Sequence, residues 1–524
     1  GSNGQVRHPA FEADNWDLNQ LGNGLAQCLS TSLKTTAMNS RIYAERVYAS
    51  ASLTLPRMEG VDTRAGFVFC DKDGHDVFVA LTMSNDQGQY SYSVQIISQN
   101  GDSWRMHGAL KDIGRTASIK NAANSAEGVP FAVLYHNGKL DIWVNNIRVA
   151  TDCYPTDAND RNLFAPEAKV AVGLQSWNHR TAFSRLTFGE SRPLEADWDL
   201  SQLSEGIAQC LNDGMMNTAP LDAAYRANRY VQANIELPRA EGIDTRAGFL
   251  FKNKSGEDVF VALTMSNEKG QYEYSVQFIS RGGTSWSTKG SVGGIDKDAA
   301  IKAAAGSSRG VPFGVLADGG TFSVWVNNVK AASGVYPVDA GERSLFAADP
   351  AVSVSLHSWN HRTRFSRIIL DDARPVSLDW DLSGQAAGTV RSLNTGNFNR
   401  VTLDAAAKGP VYIDGSVTLP RQEGKDARAG FRFVDEKGND VFVALTMNNQ
   451  KNQYTYALQF ISRNGNNWSS KGLVADISGN RDIVAKANSA GGVPFAVLYA
   501  DGQFTVWLNN ERVASQVRPT DKEA

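Results

Sequence analysis

The tryptophans of this chain recur at a spacing of 182 residues, and this period constrains the fold more than any other feature of the sequence. Trp16 is followed at this spacing by Trp198 and Trp380. The others form the sets Trp104, Trp286 and Trp468; Trp143, Trp325 and Trp507; and Trp177 and Trp359. A period of this length is a whole domain and not one turn of a solenoid, so each copy is expected to have its own hydrophobic core.

The sequence between the tryptophans repeats as well, which predicts three homologous domains in tandem. The segments "TRAGFVF", "TRAGFLF" and "ARAGFRF" each lead into "DVFVALTM". Short joints that contain proline, "GESRPLEADWDL" and "DDARPVSLDWDL", set the domains at 1–191, 192–373 and 374–524 and predict a stiff row. Because Ala524 precedes any counterpart of Trp177, the third domain is predicted to lack its last strands. Either the array continues or another segment covers the open edge.

Alternation with a period of two predicts that each domain is built from short β-strands. It is clearest in "RAGFVF", "VFVALTM", "YSYSVQII", "KLDIWVNN" and "KVAVGLQSW". Hairpin turns are indicated between strands by "CDKDGHD" and "HNGK". The predicted fold class is therefore all-β, with three tandem antiparallel jelly-roll β-sandwich domains.

The order of these sequence segments resembles the order of strand motifs in the concanavalin A-like lectin/glucanase superfamily, including its laminin-G-like and keto-disaccharide-hydrolase-like domains. The resemblance rests on the run from "RAGFVF" through "VPFAVLYHNGKLDIWVNN" to "VAVGLQSWNHRTAFSRLTF". In that superfamily a strand of the type "G-x-L-x-V-x-x-N-G" is followed by "G-x-V-G-L-x-S" and a closing "F-x-x-I/L". The resemblance implies a β-sandwich and favours glycan recognition, although a fold alone does not fix a function.

Alternation also separates the two faces of each strand. In "DVFVALTM" the inward series is Val77, Val79, Leu81 and Met83, and in "KLDIWVNN" it is Leu140, Ile142 and Val144. The outward residues, which include Arg64 and Thr82, are predicted to collect on one outer face. Aromatic rings on such a face can stack on sugar rings, while Arg, Gln and Asn can bind sugar hydroxyls. The alternative is that loops or a neighbouring domain cover this face, so that its aromatic residues form a second layer of core.

The candidate ligand-binding residues are the members of this face and their counterparts at the 182-residue spacing. They are Arg64, Phe78, Gln95, Trp143, Asn145, Gln175, Trp177 and His179 in the first domain; Arg246, Phe260, Gln277, Trp325, Asn327, His357, Trp359 and His361 in the second; and Arg428, Phe442, Gln459, Trp507 and Asn509 in the third.

The motif "SWNHR" occurs at 176–180 and again at 358–362. It follows the last inward position of a strand and is predicted to form a turn. His179 and His361 could bind a ligand, but a histidine in a turn more often caps its own loop. Because Gln175 is replaced by His357 in the second domain, the two domains are expected to differ in ligand preference if this face binds a ligand.

The acidic motifs of the chain do not favour a metal or a catalytic site. The segment "DKDGHD" is similar to a calcium loop, but its copies "NKSGED" and "DEKGND" lose the carboxylate spacing, so a hairpin turn is the better interpretation. Glu59 and Asp62 could act as an acid and base pair, yet Arg64 is close enough to form a local salt bridge with them. The "E-x-D-x-x-E" strand of the related glucanases is missing from all three domains. We therefore predict no catalytic residue, no metal and no cofactor.

Composition excludes several partner classes. Lys and Arg number 52 against 55 for Asp and Glu, and a formal net charge of −3 gives no field for nucleic acid. Apolar runs are too short for a membrane helix. Cys28 and Cys210 are counterparts, but Cys70 and Cys153 have none, so no disulfide framework is predicted.

The leading hypothesis is a non-catalytic glycan-binding or adhesive repeat region of a larger secreted or cell-surface protein. Its expected partner is a glycan or polysaccharide, with further repeats of the same chain as a second partner. The first alternative is a structural spacer or stalk without a small ligand. The second is a glycan-active enzyme of the keto-disaccharide-hydrolase type.

Overall fold

A computed structural model of the chain divides it into two compact units, Gly1–Asn399 and Arg400–Ala524. The structure describes residues 13–32, 34–37, 42–55, 62–87, 89–98, 105–108, 119, 121–122, 125–156, 162–214, 216–237, 244–280, 285–286, 301, 303–304, 307–339, 341, 343–394, 399–403, 409–419, 426–451, 453–462, 467–468, 485–486, 489 and 491–519.

The first sequence repeat forms two antiparallel sheets. Its strands are β1 (Trp16–Asp17), β2 (Ala26–Cys28), β3 (Lys34–Ala37), β4 (Arg46–Thr54), β5 (Thr63–Cys70), β6 (Asp76–Asp86), β7 (Gln89–Ser98), β8 (Met106–His107), β9 (Val129–His136), β10 (Lys139–Val144), β11 (Ile147–Pro155), β12 (Ala171–Trp177) and β13 (Ala182–Gly189). One sheet has the order β1-β2-β13-β4-β9-β10-β11-β8, and the other has the order β3-β12-β5-β6-β7.

The second repeat has nearly the same pair of sheets. Its strands are β14 (Trp198–Asp199), β15 (Ala208–Cys210), β16 (Asn217–Arg226), β17 (Asn228–Glu236), β18 (Thr245–Lys252), β19 (Asp258–Glu268), β20 (Gln271–Ile279), β21 (Ser285–Trp286), β22 (Val311–Asp318), β23 (Thr321–Val326), β24 (Val329–Val335), β25 (Val352–Trp359) and β26 (Arg364–Asp371). The sheet orders are β14-β15-β26-β17-β22-β23-β24 and β16-β25-β18-β19-β20-β21.

The third repeat begins with a two-stranded sheet that belongs to the first unit, β27 (Trp380–Asp381) with β28 (Arg391–Ser392). In the second unit the strands are β29 (Val411–Val417), β30 (Asp426–Val434), β31 (Asp440–Gln450), β32 (Gln453–Ile461), β33 (Asn467–Trp468), β34 (Val493–Ala500), β35 (Gln503–Leu508) and β36 (Glu511–Val517). They form the sheets β29-β34-β35-β36 and β30-β31-β32-β33.

Short 3-10 helices in the described part of the chain lie at Ala13–Asn15, Leu21–Asn23, Asn162–Phe164, Leu194–Ala196, Leu203–Glu205, Val376–Leu378 and Gln385–Ala387. None of the helices in the described part of the chain has the length and apolar character that crossing a bilayer requires. The prediction of an all-β chain with antiparallel sheets is confirmed.

Stacked phenylalanines join the two sheets of each repeat face to face. In the first repeat Phe67 on β5 and Phe131 on β9 have ring centroids 5.9 Å apart, and both rings are buried. The pair recurs as Phe249 with Phe313 at 5.9 Å and as Phe431 with Phe495 at 5.4 Å. The three large clusters of buried apolar side chains among the described residues are accordingly separate, and they lie within residues 16–183, 198–365 and 419–517.

A glycine beside the stacked rings lets the sheets approach. A Cβ atom on Gly66 would lie 2.2 Å from the carbonyl oxygen of Val79 and 2.9 Å from the Phe131 ring. Its counterparts Gly248 and Gly430 are equally crowded. The glycine of "RAGF" is therefore required by the packing of the pair of sheets.

In the second unit β29 and β30 are edge strands, whereas their counterparts in the first repeat, β4 and β5, are interior strands. β4 and β5 are flanked on their other sides by β13 and β12, whereas in the described part of the chain no strand pairs with the second edge of β29 or β30. Val434 at the end of β30 is 51% exposed, and Phe431 is only half-buried although its counterpart Phe67 is fully buried.

All four cysteines are buried thiols that form no disulfide. Cys28 and Cys210 lie on the short strands β2 and β15, while Cys70 ends β5 and Cys153 lies on β11. Burial raises the pKa of the Cys210 thiol to about 12 and that of the Cys153 thiol to about 11. These thiols act as small core groups rather than as nucleophiles.

Candidate functional site

A hydrogen-bonded cluster of Arg64, Thr82 and Gln95 lies across three neighbouring strands of the five-stranded sheet. Arg64 on β5 is the cross-strand partner of Thr82 on β6, and Gln95 follows on β7. Arg64 Nε donates to Gln95 Oε1 at 2.7 Å, and Thr82 Oγ1 donates to the same oxygen at 3.1 Å. We call this set, with its counterparts, the arginine–glutamine cluster. Gln95 keeps its amide N–H donors, and Arg64 keeps its Nη groups.

The cluster is repeated with almost unchanged geometry in each of the three repeats. The arginine-to-glutamine distance is 2.8 Å for Arg246 and Gln277 and 2.9 Å for Arg428 and Gln459. The threonines at the matching position, Thr264 and Thr446, donate to the same glutamine oxygens at 3.1 and 2.9 Å. Sequence alternation predicted that the arginines and glutamines share a face, and the structure brings them into contact.

Trp177 lies beneath the arginine of this cluster. It is the cross-strand partner of Arg64, and the guanidinium carbon lies 3.9 Å from the centroid of its ring. In the second repeat Arg246 lies 4.2 Å from the ring of Trp359. Burial lowers the pKa of both arginines, and the charges of nearby Asp62 and Asp244 oppose this shift. Stacking on the half-buried ring holds each guanidinium flat at the surface of the sheet.

The other residues predicted for this face are mostly covered. Phe78, Phe260 and Gln175 are buried, and Phe442 is half-buried. In the second repeat Phe260 packs with Ile279 and with the half-buried Trp359 as a small apolar cluster outside the main core. The alternative interpretation, a second apolar layer on the outer face, therefore applies to the phenylalanines.

His357 is part of this second layer and does not face solvent. Its ring centroid lies 4.3 Å from that of Phe260, and its Nδ1 shares a 2.7 Å hydrogen bond with the hydroxyl of Thr218. Burial lowers the pKa of His357 to about 3, so the ring is neutral. Since Gln175 is also buried, neither side chain at this position is placed to select a ligand by direct contact.

Trp143 and Asn145 do not belong to the same face as Arg64, which corrects the prediction of one outer face. Trp143 lies on β10 of the eight-stranded sheet and Asn145 comes directly after this strand. Trp325, Asn327, Trp507 and Asn509 have the same placement on and after β23 and β35, which belong to the seven-stranded and four-stranded sheets. Alternation shows which residues share one face of a strand, but it cannot assign that strand to one of two sheets. Asn145 begins a tight turn with a φ of 52°, and its N–H donates to the carbonyl of Pro130.

Trp143 is also covered, with only 4% of its surface exposed. Its ring meets that of Tyr48 edge-on, with centroids 6.3 Å apart. Arg192, from the joint that follows the first repeat, lies 4.5 Å above the Trp143 ring, and its Nη1 donates to the Tyr48 hydroxyl at 2.9 Å. The cleft left beside these rings measures about 180 Å³, which is small for a ligand site of ordinary size.

The same arginine joint follows the second repeat. Arg374 lies 4.5 Å from the ring of Trp325, and Tyr230 accepts a hydrogen bond from it. An aspartate of the same linker orients each of these arginines. Arg192 Nε donates to Asp197 at 2.9 Å, and Arg374 Nε donates to Asp379 at 2.9 Å. Sequence reasoning treated these linkers as spacers. The repeated Arg-Pro in both was the signal that could have identified them.

The "SWNHR" segments form turns that hydrogen bonds of their serine hydroxyl groups stabilise. Ser176 Oγ donates to the carbonyl of His179 at 2.6 Å and lies within hydrogen-bond distance of Thr181 Oγ1, at 2.8 Å, and Asn178 has a φ of 62°. Ser358 makes the same bond to the carbonyl of His361 at 2.7 Å. Burial lowers the pKa of both histidines. The predicted turn is present, but the serine hydroxyl caps it and the histidine imidazole does not.

Two groups of acidic and histidine side chains lie outside the arginine–glutamine cluster. Asp71 in the "DKDGHD" turn accepts from the N–H groups of Asp73 and His75, which supports the hairpin interpretation. The second group was missed because its members lie on different strands and are not repeated. It consists of His136, Asp141 and Asp152, with His136 Nε2 at 3.2 and 3.3 Å from the two carboxylates and Arg148 Nη2 at 2.7 Å from Asp141.

The carboxylates considered for catalysis do not form a described pair. Glu59 lies outside the described residues, and Asp62 is exposed. Asp62 acts on Arg64 through its charge, while the Nε of that arginine bonds to Gln95.

Comparison with known proteins gives no close relative. No protein-family model matches the chain, and no curated protein matches it. Among solved structures the chain is similar to the carbohydrate-binding module CBM66 from Bacillus subtilis, with 13% identity over 32% of this chain and 86% of that chain and a TM-score of 0.19. It is similar to domains LG4-5 of the mouse laminin alpha1 chain, with 9% identity over 71% and 92% and a TM-score of 0.18. The GH43 protein BlXynB from Bacillus licheniformis has 11% identity over 58% and 64% and a TM-score of 0.21. At these TM-scores the likenesses decide neither fold nor function.

Proposed function

We propose that the chain is a non-catalytic, glycan-binding repeat region of a secreted or cell-surface protein. In this proposal it consists of three tandem antiparallel jelly-roll β-sandwich domains of lectin-like type, at 1–191, 192–373 and 374–524. The observation that carries the proposal is the arginine–glutamine cluster, whose hydrogen bonds recur in all three repeats within 0.2 Å.

The chemistry of the cluster suits an oxygen-rich ligand. Gln95 Oε1 accepts from both Arg64 and Thr82, which orients the amide so that its N–H groups remain available as donors. Arg64 Nη1 is buried and has no hydrogen-bond partner among the described residues, so the donors of this guanidinium that a ligand could reach at the sheet surface are those of Nη2. A planar guanidinium fixed on Trp177 matches a carboxylate or sulfate group or a pair of sugar hydroxyls.

Affinity electrophoresis of the full chain through gels that contain neutral or acidic polysaccharides tests this proposal. We expect retardation in at least one acidic polysaccharide and its loss in the triple variant Arg64→Ala, Arg246→Ala, Arg428→Ala. The matched control replaces three exposed arginines outside the cluster, Arg309, Arg391 and Arg512, and therefore changes the net charge equally. Equal loss of retardation in both variants would mean non-specific charge attraction. If no polysaccharide retards the unaltered chain, glycan binding is rejected.

A structural stalk is the second candidate function, and the linker arginines favour it. Arg192 and Arg374 attach each linker to the aromatic residues of the preceding repeat. A stalk without a glycan ligand would keep these joints and tolerate the triple arginine variant without loss of any interaction.

A further inference from the structure

The second unit carries an aromatic pair in which the tyrosine is exposed and the tryptophan half-buried, whereas the matching pairs of the other two repeats are buried. Tyr412 and Trp507 meet edge-on with centroids 6.2 Å apart, as Tyr48 meets Trp143 and Tyr230 meets Trp325. Tyr48 is 1% exposed and Tyr230 is fully buried, whereas Tyr412 is 58% exposed. We infer that the Tyr412–Trp507 pair is a docking site for the arginine-bearing linker of a further copy of this repeat.

The two covered pairs show what this occupant must be. In both cases the ring of the tryptophan lies 4.5 Å from the guanidinium carbon of a linker arginine, Arg192 or Arg374. The tyrosine hydroxyl accepts a hydrogen bond from the same guanidinium. A lysine could not reproduce this contact, because stacking and the fork of donors both depend on the planar guanidinium.

The linker presents its arginine already oriented. Asp197 and Asp379 accept from Arg192 and Arg374, and each aspartate also accepts from an asparagine of the repeat that follows, at 2.8 Å from Asn212 and 2.7 Å from Asn394. The occupant is therefore the start of a whole repeat, of the sequence type Arg-Pro-Leu/Val-x-x-Asp-Trp, and not an isolated arginine.

The charge of the exposed site is complementary to this occupant. Ser50 in the first repeat and Gln232 in the second are replaced by Asp414 in the third. Gln232 already accepts from Arg374 at 3.2 Å, and the Asp414 carboxylate, exposed and 3.1 Å from the Tyr412 hydroxyl, offers a stronger acceptor. Tyr, Trp and Arg are also the residues that most often dominate binding energy at interfaces.

Hydroxyl-radical footprinting with mass spectrometry measures the exposure of these side chains directly. In the chain as it is, Tyr412 should be oxidised several-fold faster than Tyr48 and Tyr230. We would then extend the chain after Ala524 with a copy of residues 343–399, which continues the register and supplies the strands and the linker. The oxidation of Tyr412 and Trp507 should fall to the rates of Tyr230 and Trp325.

The contribution of the arginine is isolated in two variants of the extended chain. Replacing Arg374 by alanine in the appended copy should restore much of the oxidation of Tyr412, while replacing Arg362 in that copy should not. If the appended strands protect Tyr412 fully without the arginine, or if the extension protects nothing, the inference is wrong. Protection by a polysaccharide instead of the linker would assign the pair to a saccharide and also overturn it.

A measurement within the chain as it stands does not depend on the folding of the extension. Arg374→Ala should raise the oxidation of Tyr230 and Trp325 several-fold and leave Tyr48 unchanged, because Arg192 still covers the first pair. Unchanged oxidation of Tyr230 would show that a linker arginine does not protect these rings, and the inference for Tyr412 would fall with it.

Discussion

The guanidinium carbon of Arg192 lies 4.5 Å from the centroid of the Trp143 ring, although the two residues belong to different sequence repeats. The side chain of Arg192 is only 7% exposed, and Asp197 pairs with it at 2.9 Å. Because the linker residue completes the outer surface of the preceding repeat, the linker and that repeat are expected to stabilise each other.

Arg192→Ala should lower the free energy of unfolding of the first repeat by about 1–3 kcal/mol, since it removes the donor to the buried Tyr48 hydroxyl and leaves the Asp197 carboxylate with its bond from Asn212 alone. Urea unfolding measured by tryptophan fluorescence detects this change as an earlier first transition. Arg391→Ala is the control, because Arg391 is exposed. Equal effects of both variants would contradict a specific role for the joint.

Trp143→Ala should cost about 3–5 kcal/mol, the usual loss when a large buried aromatic side chain is truncated. Trp177→Ala should cost less, because that ring is half-buried, and it should weaken any retardation by polysaccharide. Calorimetry of the two variants separates these expectations. A Trp143 variant with unchanged melting temperature and lost glycan binding would reinstate Trp143 as a sugar platform.

Gly214→Ala should disrupt the contact between the first two repeats. A Cβ atom at this position would lie 2.5 Å from the Cβ of Arg148 and 2.6 Å from its backbone nitrogen. The backbone has to shift, which typically costs about 1–3 kcal/mol. Gly22→Ala is the matched control, since no atom lies within 4 Å of its added Cβ. Comparable melting temperatures for the two variants would show that this contact does not stabilise the chain.

The buried His357 makes stability depend on pH. Its pKa is about 3 in the folded chain and about 6.5 in the unfolded chain. Below pH 6.5 the unfolded state therefore binds a proton at this histidine that the folded state does not bind. Stability should therefore be constant above this range and fall on acidification, by on the order of 1.4 kcal/mol per pH unit. His357→Gln, which copies Gln175 of the first repeat, should remove this slope. Urea unfolding at neutral pH and near pH 4.5 tests it, and an unchanged slope in the variant would contradict it.

Hydrogen exchange should differ between matching strands of the repeats. Among the described residues β29 and β30 each pair with a strand on one side alone, so alternate amides on them should exchange much faster than those on β4 and β5. The interior strands β34 and β31 of the same unit serve as controls. Equal protection of β29 and β34 would mean that another segment covers this edge.

The strands and their inward residues could be predicted from the sequence because burial imposes a period of two. Val77, Val79, Leu81 and Met83 on β6 are fully buried, as their alternation predicted. The outward neighbour Phe78 is buried as well. Alternation identifies one face of a strand but carries no information on what covers the other face.

The candidate site was predicted in part for the same reason. Arg64 and Gln95 meet because β5, β6 and β7 follow one another along the chain and pair as neighbours, and local patterns are sufficient for that. The contact of Arg64 with Trp177 depends on the pairing of β5 with the distant strand β12. The position of Trp143 depends on which strand joins which sheet, and its burial depends on Arg192, 49 residues further along the chain. Contacts over such separations are set by the tertiary fold.

The four buried cysteines all lie before residue 399, and burial raises the pKa of three of them. A thiol reagent can reach them only when the surrounding sheets open. Cys70 and Cys153 belong to the first repeat and Cys210 to the second, while residues 400–524 contain no cysteine. Pulsed alkylation followed by peptide mass analysis would therefore time the opening of each of the first two repeats separately in one sample, with the second unit silent throughout.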